Sequence, residues 1–221
     1  MGLRELKKEQ TRQLIADTAW RLFADRGFDQ VSVAEVAREA QVAEATVYNY
    51  FRTKEDLFYW RLEAFEARLA ESVSTRPPGE PALAAFRRAL LAEGGLLAQA
   101  ETGEAEALDR LRAINQVITA SPVLLAREQQ AINHAAVTLA SVLAADASAP
   151  PGDLRPQVAA NALIGVHRAL VDYVRHRVQA GGNLTGLAAE VRKLTTDAFE
   201  LLEQGLRDYA AKPADTTGGA R

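Results

Sequence analysis

The run Val33-Ala34-Glu35-Val36-Ala37-Arg38-Glu39-Ala40-Gln41-Val42-Ala43-Glu44-Ala45-Thr46-Val47-Tyr48-Asn49-Tyr50-Phe51 decides the reading of this chain. It holds two short segments with helical apolar spacing, separated by only a few residues. Two such helices crossing steeply about a tight turn need a small residue at the crossing, and Ala37 supplies it. Val42 is the apolar plug of the turn, and Val47 is the buried anchor half-way along the second helix. The outward face of that helix presents Glu44, Ala45, Thr46, Tyr48, Asn49 and Tyr50. Hydroxyls and an amide in that position can meet phosphates or base edges. Spacing of this kind also arises in plain helical bundles, where Tyr48, Tyr50 and Phe51 would be core aromatics.

The flanks extend the pattern. Leu14, Ile15, Ala19, Leu22 and Phe23 form the apolar stripe of a preceding helix, which Gly27 ends in a left-handed conformation. Ser32 caps the next helix, with Glu35 completing a capping box. Val33, Val36, Ala37 and Ala40 face inward. Thr53-Lys54-Glu55-Asp56 reads as the cap and first turn of a fourth helix, with Leu57, Phe58, Leu62, Phe65 and Leu69 along one side.

In their order and spacing these positions resemble the DNA-binding module of the TetR family of bacterial repressors. The residues that carry the resemblance are Ala19, Leu22-Phe23, Gly27-Phe28, Val31-Ser32-Val33, Val36-Ala37, Val42, Thr46-Val47-Tyr48-Asn49-Tyr50-Phe51, Lys54 and Leu57. It covers about the first 60 residues; the remainder matches in length and helical layout. It implies a three-helix head carried by a helix from Lys54 that joins a ligand-binding, dimeric body. It also implies that Thr46, Tyr48, Tyr50 and Lys54 grip phosphates, while Glu44, Ala45 and Asn49 sit where base edges are read. Arg4, Lys7, Lys8 and Arg12 are either further backbone contacts or a solvated terminus. Two positions depart from the family pattern: Gln41 stands where glycine is usual in the turn, and Ala43 where a hydroxyl usually caps the reading helix. Each departure costs roughly 1 kcal/mol.

Beyond the head, Pro77-Pro78-Gly79-Glu80-Pro81 breaks the helical pattern. Helices then read from about Ala82 to Ala98, Glu104 to Ala120 and Pro122 to Asp146. The last of these has Ser121 as its cap and proline in its first turn. Ala149-Pro150-Pro151-Gly152-Asp153 precedes a helix of about Arg155 to Ala180, and a final one runs from about Gly186 to Ala210. The fold class is all-α: a helix-turn-helix head over residues 1–55, a linking helix with a ligand-binding and dimerisation body over 56–211, and a disordered tail over 212–221.

Polar residues on otherwise apolar faces mark a pocket in the body. Asn115 shares a face with Leu108, Leu111 and Ile118. Gln129 shares one with Leu125, Ile132, Ala136 and Leu139, flanked by Asn133 and His134, and His167 lies among Leu163, Val166, Leu170 and Val174. Polar groups converging among apolar walls suit an apolar effector with one or two polar handles. Asn115, Gln129, Asn133 and His167 are the candidate handles, and the alternative reading of each is a satisfied core group. The last two helices carry wide small-and-apolar stripes (Ala159, Ala162, Gly165, Ala169 and Tyr173; Leu187, Val191, Leu194, Ala198, Leu201, Leu202 and Leu206). Paired about a two-fold axis, they make the four-helix interface of a homodimer.

Composition narrows the classes further. The 221 residues include no Cys, so thiolate nucleophiles, disulfides and Cys-ligated metals are excluded. A net charge of −3 and a pI near 5.7 rule out a wholly basic, histone-like binder but allow a small DNA-reading module on an acidic body. His134, His167 and His176 form no metal motif, and no phosphate loop or catalytic constellation appears, so neither enzyme nor cofactor is expected. The first residues lack the apolar core of a signal peptide and no span is long enough for a membrane, which points to the cytoplasm. The expected function is a ligand-responsive repressor that binds a palindromic double-stranded operator as a homodimer. The competing reading is a small-molecule binding protein with a vestigial head.

Overall fold

The computed structural model describes residues 2–92 and 105–205. Among them are nine α-helices and no strand. The head comprises α1 (Leu3–Arg26), α2 (Val33–Glu39) and α3 (Glu44–Tyr50), and α4 (Lys54–Ser74) leads into the body. The body adds α5 (Ala82–Ala92), α6 (Ala105–Ala120), α7 (Pro122–Asp146), α8 (Arg155–Gln179) and α9 (Leu187–Gln204). Where they are described, these helices match the expected spans. The Leu62 and Phe65 side chains, Leu206, the helical stretches expected beyond Ala92 and Gln204, and the tail at 212–221 lie outside the described residues.

Local chemistry accounts for the head's boundaries. The Ser32 Oγ accepts from the Glu35 N–H at 3.2 Å, and the Glu35 carboxylate accepts from the Ser32 N–H at 2.8 Å. This reciprocal pair satisfies two amides at the start of α2. Thr53 and Asp56 repeat it at the start of α4, at 3.1 and 3.2 Å. Gly27 does take positive φ, but at φ 84° and ψ 152° it lies outside the left-handed helical region expected. Only glycine enters that territory readily, and the turn it makes sends the chain back across Phe23.

Ile15, Ala16, Ala19, Leu22 and Phe23 of α1 are buried, whereas Leu14 is 51% exposed. The stripe therefore runs through Ala16 instead of Leu14. A step of one residue rotates a side chain by about 100°, which carries Leu14 off the edge of a narrow buried face.

The head does not stop at α3. Its core is continuous with Ile114, Val117 and Ile118 of α6 and Leu124 of α7. Polar bonds reinforce this seam. The Tyr59 hydroxyl donates to the Leu124 carbonyl at 2.9 Å, Ser121 Oγ to Asp29 Oδ1 at 3.3 Å, and Arg127 to Asp56 at 3.4 Å. Ser121 was expected to cap α7 with its side chain; its hydroxyl instead reaches across to the α1–α2 loop. A second core, from Leu69 and Val73 of α4 through α5, α7, α8 and Phe199 of α9, holds the body. No described helix is long and apolar enough to cross a membrane.

Candidate nucleic-acid interface

Helices α2 and α3 cross where Ala37 and Val47 are both buried. The turn between them is tied by the Val42 N–H to the Ala37 carbonyl at 2.9 Å, and Val42 packs against the head core. Gln41 adopts φ 56°, a left-handed conformation that a residue other than glycine reaches at a cost of about 1 kcal/mol. Ala43 occupies the N-cap of α3 with no side-chain bond to the helix. Both departures noted in the sequence are therefore accommodated without losing the turn. The packing of Val42 and Val47 absorbs them.

With Val47 pinned, the rest of α3 faces outward. Glu44, Ala45, Tyr48 and Asn49 are exposed, and Tyr48 shows 49% of its surface despite its size. Thr46 is half-buried, and so is Tyr50, whose ring packs on the head core. Phe51 ends the helix as a core residue. A tyrosine and an asparagine side by side on an anchored helix leave hydrogen-bonding groups at the surface with no partner among the described residues.

Lys54 is positioned differently from its expected role. Its ammonium donates to the Phe28 carbonyl at 2.9 Å and the Val31 carbonyl at 3.2 Å, and lies 4.1 Å from the Phe28 ring centroid. Two of its three N–H groups thus staple the α1–α2 loop to the start of α4. Arg12 is also turned inward, against the rings of Phe51 and Trp60. Exposed cations flank α3 in the sequence: Arg38 at the end of α2 and Arg52 just before α4. Residue type alone could not single them out; their signal is position, one on either side of the outward helix. On α2, hydrogen bonds from Ser32 hold the Glu35 carboxyl below its usual pKa, with Arg26 and Arg38 adding to the effect.

The body's candidate handles differ in their surroundings. Asn115 is buried, with its amide donating to the Leu111 carbonyl at 2.9 Å. Gln129 accepts from Arg168 at 2.7 Å near the surface, and Asn133 is exposed. His167 is buried in the aliphatic body, and desolvation lowers its pKa to about 4. Leu125, expected to point inward, is exposed, and its neighbour Leu124 is buried in its place. A cavity of about 450 Å³ does open in the body, between α4 and α7, lined by Ala67, Ala70, Arg127, Ala131, His134, Ala135 and Thr138. None of the four candidate handles lines it. Periodicity identified which faces were mixed but carried no information on where two alanine-rich helices would leave space.

The small-and-apolar stripes of α8 divide into two faces. Leu163, Val166 and Leu170 are buried within the chain, whereas Ala159, Gly165 and Ala169 are exposed. Leu154 and Val158 continue the exposed face at 73% and 63% exposure. Ala162 is half-buried, as are Leu194, Ala198, Leu201 and Leu202 of α9.

Residues 15–59 match the family described as bacterial regulatory proteins, tetR family. The HTH-type transcriptional regulator TcmR of Streptomyces glaucescens is 27% identical over 146 residues, covering 65% of this chain and 63% of TcmR. The HTH-type transcriptional regulator AcrR of Shigella flexneri is 36% identical over 93 residues, covering 40% of this chain and 43% of AcrR. The chain thus spans less than two thirds of the length of either relative. Among solved structures, native NalD of Pseudomonas aeruginosa, a secondary repressor of the MexAB-OprM multidrug efflux pump, superposes with a TM-score of 0.55 at 21% identity. That match covers 87% of this chain and 96% of NalD. SmeT in complex with triclosan superposes with a TM-score of 0.56 at 16% identity, covering 96% of this chain and 99% of SmeT. At these identities the two structures show a shared fold, and they extend it from the head to the body.

Proposed function

We propose that this chain, whose residues 15–59 match the tetR family of bacterial regulatory proteins, is a transcriptional repressor of that family. In this reading it grips a palindromic operator as a homodimer and is released by a small molecule. The observation that carries the reading is α3 itself. Val47 fixes the helix to the head, and Tyr48, Asn49, Glu44 and Ala45 are left exposed along its outer face. Asn49 has the geometry to pair with adenine, Glu44 to accept from cytosine, and Ala45 to touch a thymine methyl. Tyr48 and Thr46 reach phosphates, and Arg38 and Arg52 add charge on either side. Tyr50 contributes only its hydroxyl, since its ring serves the core. Lys54 acts mainly by holding the loop before α2, with one N–H left for a phosphate.

In this reading residues 1–55 form the DNA-binding domain and 56–211 the effector and dimer domain, working in the cytoplasm where the operator is. The exposed face of Leu154, Val158, Ala159, Gly165 and Ala169 pairs with its two-fold copy, with the outer side of α9 completing a four-helix interface. The cavity between α4 and α7 takes the effector. Its volume and alanine walls suit a small apolar molecule with a polar edge set against Arg127, His134 and Thr138. NalD, a repressor, and SmeT, solved with triclosan bound, are in keeping with this reading. An effector wedged between α4 and α7 would shift α4, which bears the head at its near end. A small tilt spoils the roughly 34 Å spacing at which two heads meet successive major grooves. Linkage then requires that operator DNA weaken effector binding by the same factor.

The competing reading, a binding protein with a vestigial head, gains no observation here: the head keeps both capping boxes, its anchor and its exposed face. The deciding experiment is binding of the full-length chain to duplex DNA from upstream of its own gene across a salt series. The repressor reading requires a tight complex whose affinity falls steeply with salt and which competitor DNA of random sequence does not displace. Binding that random DNA displaces equally well would end it.

A further inference from the structure

Arg12 lies near the start of the chain among basic residues, and sequence alone offers it to DNA. Its guanidinium instead sits 5.5 Å from the Phe51 ring centroid and 5.3 Å from that of Trp60. The two rings meet edge to face at 6.3 Å. Phe51 is the C-cap of α3 and is 3% exposed. Trp60 lies in the second turn of α4. The Arg12 Nε is buried with no hydrogen-bond partner among the described residues. Ring faces therefore supply the compensation at that end of the group, which a planar, weakly hydrated guanidinium accepts more readily than an ammonium.

This clamp joins three elements at one point: α1, the C-cap of the outward helix, and the linking helix. Helix α3 needs such support. Its seven residues are too few to hold a helix unaided, and its N-cap, Ala43, makes no side-chain bond. Its far end is therefore set by Phe51.

We propose that Arg12 is a positioning residue for DNA reading, setting the angle of α3 through Phe51 and making α3 follow α4 through Trp60. Its charge is spent on the two rings and none of it on a phosphate. The inference rests on the DNA-binding reading above and adds a specific path by which movement of α4 reaches the base-reading face.

The test uses the full-length chain and a duplex enriched by the wild type from a random pool. Affinity is measured over a salt series for Arg12→Met, Arg12→Lys, Trp60→Leu and the Arg12→Met/Trp60→Leu pair, each shown to be folded by circular dichroism at the binding temperature. Arg12→Met weakens binding on the order of tenfold, with the slope of log affinity against log salt unchanged. Arg12→Lys recovers only part of the loss, because an ammonium cannot lie flat against two rings. The double variant binds no more weakly than the weaker single variant, since both changes remove the same clamp. A slope reduced by about one in Arg12→Met and restored in Arg12→Lys would make Arg12 a phosphate contact and overturn the proposal. Fully additive losses would overturn it too. If Arg12→Met does not fold, the cycle built on Arg12→Lys and Trp60→Leu decides by the same criterion. Should the wild type enrich no sequence at all, the DNA-binding reading falls first and the inference with it.

Discussion

Around Phe58 the rings of Trp20, Phe23, Phe28 and Tyr59 lie with centroids 5.3, 6.2, 6.2 and 5.1 Å away. In the body, among the described residues, the comparable contact is Phe86 with Phe199 at 6.3 Å, set among alanines and aliphatic side chains of α5, α7 and α8. Interlocked rings have few alternative packings, because turning one displaces its neighbours. Facing alanines leave gaps, and the cavity between α4 and α7 is lined by four of them. On the proposed function, this difference suits the two regions to different duties. A surface that reads DNA must hold its groups to within a fraction of an ångström, whereas a region that answers to a ligand must have space and a second arrangement to adopt.

That contrast breaks most visibly if the ring cluster is emptied. Phe58→Ala removes a fully buried ring that four others contact, and should cost about 4 kcal/mol of stability. Urea titration followed by tryptophan fluorescence measures this, with Trp20 stacked directly on the deleted ring. A loss below about 1 kcal/mol would mean that the head repacks as freely as the body, and the contrast would be wrong.

The next largest effect tests the staple. Lys54→Met keeps the stem over Phe28 but removes the two bonds to backbone carbonyls, and should destabilise the head by about 2 kcal/mol. The same variant should lower operator affinity mainly through the lost fold, changing the salt slope by less than one. A stable variant whose slope falls by a full unit would return Lys54 to the phosphate contacts and leave the α1–α2 loop without its staple.

The body has its own sensitivity. Burial pushes the His167 pKa down to about 4, against 6.5 for an unperturbed histidine. Between those values the unfolded chain binds a proton that the folded chain refuses. This contribution to stability is therefore complete above about pH 6.5 and drains away as the pH falls toward 4. At pH 5.5 the loss through this group is on the order of 1 kcal/mol. Comparing urea midpoints at pH 8 and 5.5 for the wild type and His167→Leu isolates it, and the variant should lose less on acidification. Equal losses would show that His167 keeps its proton equilibrium on folding.

The smallest effect refines the head. Gln41→Gly should stabilise it by about 0.5 kcal/mol, because glycine reaches φ 56° without the steric cost of a side chain. A loss of stability would mean that the Gln41 side chain contributes something its exposure does not reveal.

The head was far more legible in the sequence than the body, for physical reasons. Its α2 and α3 are short, so caps and turn residues determine them, and Ser32, Glu35, Thr53 and Asp56 act where their types and spacing placed them. Val47 and Ala37 were likewise identifiable, since a steep crossing about a four-residue connection leaves few positions for an anchor. The side-chain directions of Lys54 and Arg12 were not. Each depends on an aromatic ring brought close only by tertiary folding: Phe28 for the first, Phe51 and Trp60 for the second. In the body, helical spacing gave the spans of α7 and α8 but misjudged Leu125, which sits at the edge of a buried face as Leu14 does. The cavity between α4 and α7 was invisible to periodicity, because it is made by the absence of side-chain volume at Ala67, Ala70, Ala131 and Ala135, and alanine reads as helix whether or not it leaves a hole. Asn115, Gln129 and His167 stood out as polar interruptions, yet Asn115 and Gln129 have internal partners and His167 is enclosed by the core.

The central claim is that the outward face of α3 reads base pairs. It is tested most directly by selecting binding sites from a random duplex pool with the full-length chain and, in parallel, with Asn49→Ala. The account predicts a palindromic consensus for the wild type, with half-sites about one helical turn apart or a multiple of it. It predicts that Asn49→Ala relaxes the preference at one symmetric position, at a cost of about 1–3 kcal/mol if an adenine contact is lost. Identical consensus sequences from the two proteins, or no consensus from the wild type, would contradict it.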